Sequence, residues 1–85
     1  MCSQSSFLPL RLQVVADADP TALARVLERF QNLNIVPRRV TAEFGMNHSL
    51  HISVDVFGIS EEQLTLITGK VCQAASVIHA HWSRI

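Results

Sequence analysis

Eighty-five residues make room for one domain, and a domain of that size buries only roughly two-thirds of its unfolded surface, so pairing with another chain would supplement a thin margin of stability. Seven Lys and Arg balance seven Asp and Glu, which removes the basic excess that marks a nucleic-acid binder. The apolar share, 48%, is high, yet no apolar stretch is long enough to span a bilayer, so a cytoplasmic domain with some apolar surface at an interface is expected.

Residues 1–6, Met1-Cys2-Ser3-Gln4-Ser5-Ser6, have neither the positive start nor the apolar core of a secretory signal, and read as a disordered tail ahead of a single domain over 7–85. Cys2 and Cys72 lie far apart with no Cys-x-x-Cys spacing, so two free thiols are expected.

The first element spans 7–16. Leu10, Leu12, Val14 and Ala16 alternate with Arg11, Gln13 and Val15, the period of a half-buried strand, and Pro9 limits its start. A helix follows. Asp19 is placed to cap it, Pro20 suits its first position, and Leu23, Val26, Leu27, Phe30 and Leu33 recur at helical spacing. Asn32 and Asn34 suit its end, and Pro37 prevents its continuation.

Val40, Ala42 and Phe44 then alternate with Arg39, Thr41 and Glu43 in a second strand. Gly45-Met46-Asn47-His48 reads as a hairpin loop, and a third strand over 49–57 turns Leu50, Ile52, Val54 and Val56 to one face. Ser60 and Gln63 fit a capping box at the start of a second helix, with Ile59 and Leu64 as its hydrophobic staple. Leu64, Ile67, Val71 and Ala74 or Ala75 form that helix's stripe. Gly69 within it costs about 1 kcal/mol relative to Ala, for which close packing on the sheet is the expected reason. The last strand, 77–84, should present Ile78, Ala80 and Trp82 on one face and His79 and His81 on the other.

Strand–helix–strand–strand–helix–strand is an α+β order. With right-handed crossovers it gives a ferredoxin-like βαββαβ sandwich: a four-stranded antiparallel sheet in the order second, third, first, fourth, with two helices on one face. The open face should carry Arg11, Gln13, Val15, Arg39, Thr41, Glu43, His51, Ser53, Asp55, His79 and His81. The first strand separates His48 and His51 from His79 and His81 by roughly 9–10 Å of sheet. No four-ligand metal site is therefore expected. No nucleophile–base motif and no glycine-rich phosphate loop occur, so no enzyme and no cofactor are expected. The third strand lacks the exposed aromatics on which RNA bases stack, and the first loop lacks the Cys-x-x-Cys of a copper chaperone.

The run Asp19-Pro20-Thr21-Ala22-Leu23-Ala24-Arg25-Val26-Leu27 resembles the first-loop and helix signature of ACT domains. With the strand 12–16, a turn near Asn34 and the strand 49–56, the likeness covers about residues 8 to 82 and is closest to the short-form small, regulatory subunit of acetolactate synthase. The resemblance implies a non-catalytic homodimer joined through sheet edges. It would bind and activate a large thiamine-diphosphate-dependent catalytic subunit, with feedback by a branched-chain amino acid such as valine. Carried over by position, the effector would touch Ala18, Asp19, Thr21, Ala22 and Leu23 of one chain and Val36 of its partner. Thr21 stands where many effector-binding relatives carry the Gly that lets a carboxylate approach backbone N–H groups, and Ala18 and Val36 stand where many carry Asn. Feedback is accordingly expected to be weak or absent. The alternatives are a stand-alone dimeric amino-acid sensor of this type or an orphan ferredoxin-like interaction module. The second strand, entered through Arg38-Arg39, is the expected pairing edge.

Overall fold

Pro9, which has no N–H to give to a ladder, immediately precedes the first strand, β1, Leu10–Asp17. The computed structural model describes residues 8–85, so the expected tail lies outside the described residues. After β1 come α1 (Ala22–Gln31), β2 (Arg39–Phe44), β3 (Ser49–Val56), α2 (Glu61–Cys72) and β4 (Val77–Arg84). The sheet is antiparallel in the order β2-β3-β1-β4, as the sequence predicts.

The core lies between the sheet and the two helices. Leu10, Leu12, Val14 and Ala16 of β1 and Ile52, Val54 and Val56 of β3 meet Ala22, Val26 and Phe30 of α1 and Leu64, Ile67 and Val71 of α2. The alternation read from the sequence thus places each of these β1 and β3 side chains inside.

Helix α2 starts as expected. Ser60 Oγ accepts from the Gln63 N–H at 3.1 Å, and Gln63 Oε1 accepts from the Ser60 N–H at 3.4 Å. Ile59 before the cap and Leu64 after it are both buried, which completes the staple. Trp82 Nε1 donates to Thr65 Oγ1 at 2.9 Å and Arg84 to Glu61 at 2.6 Å, tying β4 to this helix.

Five expectations need correction. Helix α1 begins at Ala22, not Pro20: the Ala22 N–H bonds the Asp19 carbonyl in a tight turn, and Arg25 N–H to Thr21 carbonyl is the first full helical bond. Leu33 leaves the stripe because the helix ends at Gln31. The chain reverses through Asn34 in left-handed geometry (φ 58°), leaving Leu33 53% exposed. Val40, Ala42 and Phe44 do point to the helix side, opposite Val54, Ile52 and Leu50, but neither helix covers them and all three are exposed. In β4 the register slips between Val15 and Ala16. Val77 therefore takes the inward place beside Ala16, and Ile78 is extruded.

Gly69 is the fifth correction. A Cβ built on it meets nothing within 4 Å, so close packing does not explain it. Gly69→Ala is therefore expected to raise stability by about 0.5–1 kcal/mol, read as a higher urea midpoint at unchanged slope. Gly45, by contrast, is crowded: a Cβ there would run into the His51 ring and Ser49 Oγ, and those side chains would have to shift to admit it. The Gly45 N–H bond to the Ser49 carbonyl at 2.9 Å closes the β2–β3 hairpin, with Asn47 and His48 supplying its left-handed turn.

Candidate functional site

The β1–α1 loop is built around one carboxylate. Asp19 Oδ1 accepts from the Thr21 N–H at 2.9 Å and from Thr21 Oγ1 at 3.0 Å. These bonds, with Arg25 nearby, hold Asp19 below the ordinary carboxylate range. Asp19 thus caps the turn that leads into α1. The N–H groups of Thr21 and Ala22 are both spent on Asp19, the first on its side chain and the second on its carbonyl. The Ala18 N–H is also spent, on the His48 carbonyl at 2.8 Å. An incoming carboxylate would meet a resident one in the place where a helix start attracts anions.

The six expected effector residues do not gather within one chain. Ala18, Asp19 and Thr21 are exposed, Leu23 is half-buried against the core, and Ala22 is fully buried and presents no side chain. Asp19 and Thr21 open onto a polar cleft of about 450 Å³ between α1 and the end of α2, which Arg25, Arg29, Val71 and Ser76 also line. Val36 sits past the far end of α1, 84% exposed, on the rim of a separate apolar groove of about 410 Å³. Leu27, Ile35, Pro37 and Val40 form the rest of its apolar lining. A helix of ten residues is about 15 Å long, so loop and groove can share a ligand only across two chains.

On β2 itself Val40, which lines the groove, is 38% exposed, and Phe44, on the same side of the strand, is 83% exposed. β2 is also a sheet edge, so one side of its backbone is unpaired. The sequence shows these residues as alternating apolar positions. Only the placement of α1 reveals that they lack a cover.

The open face of the sheet matches expectation row by row. Arg39, Asp55, Arg11 and Ser83 face one another across the four strands, then Thr41, Ser53, Gln13 and His81, then Glu43, His51, Val15 and His79. Its centre is an ion pair that emerges only once the register is known. Arg11 reaches both oxygens of Asp55, Nε to Oδ1 at 2.7 Å and Nη2 to Oδ2 at 3.1 Å. The Arg11 hydrogen bonds, backed by its charge and those of Arg39 and Arg38, hold the Asp55 carboxyl below its usual range. Arg38 lies 5.5 Å from the Phe57 ring centroid, within cation–π reach.

A carboxyl whose folded pKa is depressed adds stability above its unfolded pKa of about 3.9 and loses it as pH falls through the folded value. Arg11 is raised by the same contact, so its own contribution is fully present at every ordinary pH and fades only in strong alkali. Asp55→Asn is therefore expected to flatten the loss of stability between about pH 5 and pH 2, measured by urea unfolding at stepped pH. A variant whose acid profile overlays the native one would show that the pair adds nothing.

Among the described residues no three His, Cys, Asp or Glu side chains gather into a metal site, and no helix is long and apolar enough to cross a membrane. Cys72 is a free, exposed thiol. Cys2 lies outside the described residues.

A family model described as an ACT-like domain matches residues 4–85. No curated protein matches the sequence. Solved structures share the fold. The C-terminal domain of the MgtC protein from Mycobacterium tuberculosis aligns with TM-score 0.76 at 15% identity, over 91% of this chain and 86% of that one. The ACT domain from GTP pyrophosphokinase of Chlorobium tepidum gives 0.75 at 9% identity, over 91% and 99%. An uncharacterized protein from Thermotoga maritima gives 0.72 at 14%, over 93% and 98%. Identities this low establish a common fold and no common ligand.

Proposed function

Because the chain belongs to the ACT-like domain family, we propose that it is a non-catalytic regulatory subunit that pairs with a second copy along β2 and activates a thiamine-diphosphate-dependent acetolactate synthase catalytic subunit. The observation that carries this reading is the uncovered apolar flank of β2, from Val36 through Val40 to Phe44, beside an unpaired strand edge. Antiparallel pairing of β2 with its copy would join two sheets and bring the two apolar flanks together. The likeness to the acetolactate synthase small subunit rests on the run from Asp19 to Leu27.

Feedback by a branched-chain amino acid is weak or absent in this reading. Asp19 holds the loop N–H group that an effector carboxylate would need, and Thr21, Ala18 and Val36 supply neither backbone access nor convergent amide partners.

The test is the activity of the large acetolactate synthase subunit from the same source, with and without the purified chain. Raised activity that valine does not reverse is expected. Absence of both a complex and activation would remove the subunit reading. One observation favours the stand-alone sensor instead: the groove of Leu27, Ile35, Val36, Pro37 and Val40 is apolar and suits a branched side chain. Thermal stabilisation of the isolated chain by valine, leucine or isoleucine would select that alternative.

A further inference from the structure

His79 and His81 are two residues apart on β4, so both side chains leave the open face of the sheet. Both are exposed, and their ring centroids are 6.2 Å apart with 25° between the ring planes. The residues that face them across the ladder carry no charge. The facing residues of β1 are Val15 and Gln13. β4 is an outer strand, so among the described residues no further strand flanks it. The nearest guanidiniums are engaged elsewhere, Arg84 with Glu61 on α2 and Arg11 with Asp55. Nothing in the proposed regulatory role uses this pair.

The geometry points to a bidentate binding site for a divalent late transition ion at His79 and His81, open on its solvent side. Neutral imidazole suits Cu²⁺, Ni²⁺ and Zn²⁺, with Cu²⁺ bound most tightly. Metal–nitrogen bonds are about 2.0–2.1 Å, which puts the centroids of two imidazoles on one ion about 4.5–6.5 Å apart, depending on the angle at the metal. The rings stand 6.2 Å apart, at the wide end of that span, and are stacked with their planes 25° apart, so each exposed side chain must rotate about its own bonds to turn one nitrogen toward a shared ion. Two protein ligands do not make a closed structural zinc site, which takes four. They make a chelate with positions left for water. His51 does not join it, because β1 separates β3 from β4.

The test uses the full chain with Cys2→Ser and Cys72→Ser, which removes thiols that would reduce copper, and Cu²⁺ as the only added metal. Trp82, the one tryptophan, is the neighbour of His81 and reports binding by quenching of its fluorescence. One Cu²⁺ per chain is expected, with two equatorial nitrogens in its electron paramagnetic resonance spectrum. His79→Asn and His81→Asn should each weaken binding by about 100-fold, since the second ligand of a chelate binds at high effective concentration. His48→Asn and His51→Asn, the remaining histidines, should leave it unchanged. Circular dichroism on each variant separates lost binding from lost fold. Native-like binding by His79→Asn or His81→Asn would overturn the site. So would equal weakening by the other two histidine variants, or a stoichiometry of one ion per two chains.

Discussion

Replacing Phe30 by Ala is expected to cost about 3–5 kcal/mol, enough to unfold much of the isolated chain at physiological temperature. A domain of 85 residues has roughly 4–13 kcal/mol of stability in all, at about 0.05–0.15 kcal/mol per residue. Phe30 is among the largest fully buried side chains and closes the core at the last turn of α1. Its carbonyl also anchors the chain reversal, accepting from the Leu33 N–H at 3.1 Å and the Ile35 N–H at 2.9 Å. A cavity at this point would loosen both the helix end and the approach to β2. Thermal unfolding by circular dichroism should show the midpoint fall by at least about 12 °C, at about 4–8 °C per kcal/mol for a domain of this size. Leu33→Ala is the matched control. Leu33 shares the helical spacing of Phe30 in the sequence but is solvent-exposed, so its loss should stay within about 0.5 kcal/mol. Equal losses at the two positions would contradict the placement of the helix end.

The contrast between Phe30 and Leu33 shows where sequence reading stops. Periodicity identifies a stripe but not the residue at which the helix ends, because Asn34 in left-handed geometry is a local choice that a stripe does not encode. Alternation placed the inward faces of β1 and β3 without error, since central strands of a sandwich bury every second residue. The same rule fails for β2. Its apolar face points the right way, but burial needs something above it, and the helices pack on the core of β1 and β3 and, through α2, against β4. The slip at Ala16 likewise cannot be read from β4 alone: it depends on how two strands match, and it exchanges Val77 for Ile78.

The candidate effector loop was legible in part. Asp19 is expected to cap the helix; instead Thr21 is its N-cap, with no side-chain cap bond, and Asp19 holds Thr21 in the turn before it. What the sequence could not show is that this bond uses up an N–H that an effector would want, or that Val36 lies a helix length from the loop within one chain. Arg11 and Asp55 were assigned to one face, but their pairing follows only from the register that sets them opposite each other. Ala22, counted among the contact residues by position, is buried under the helix it begins.

Phe44→Asp should convert the proposed homodimer to monomer. Phe44 is 83% exposed in the single chain, so the substitution removes no core contact and should leave the monomer folded. In a β2-to-β2 assembly the same side chain would lie against the partner's apolar flank, where an unpaired carboxylate is costly. Sedimentation equilibrium should give twice the chain mass for the native protein and one chain mass for the variant. The unfolding midpoint of the native protein should rise with concentration, and that of the variant should not. Leu66→Asp tests the other edge. Leu66 is exposed on α2 beside Trp82, far along the sheet from β2, and its substitution should leave the dimer intact. A Phe44→Asp protein that remains dimeric, or a Leu66→Asp protein that dissociates, would move the pairing away from β2. The activation assay joins the two halves of the proposal: if pairing is what presents the regulatory surface, the monomeric Phe44→Asp chain should fail to activate the catalytic subunit while the Leu66→Asp chain still does so.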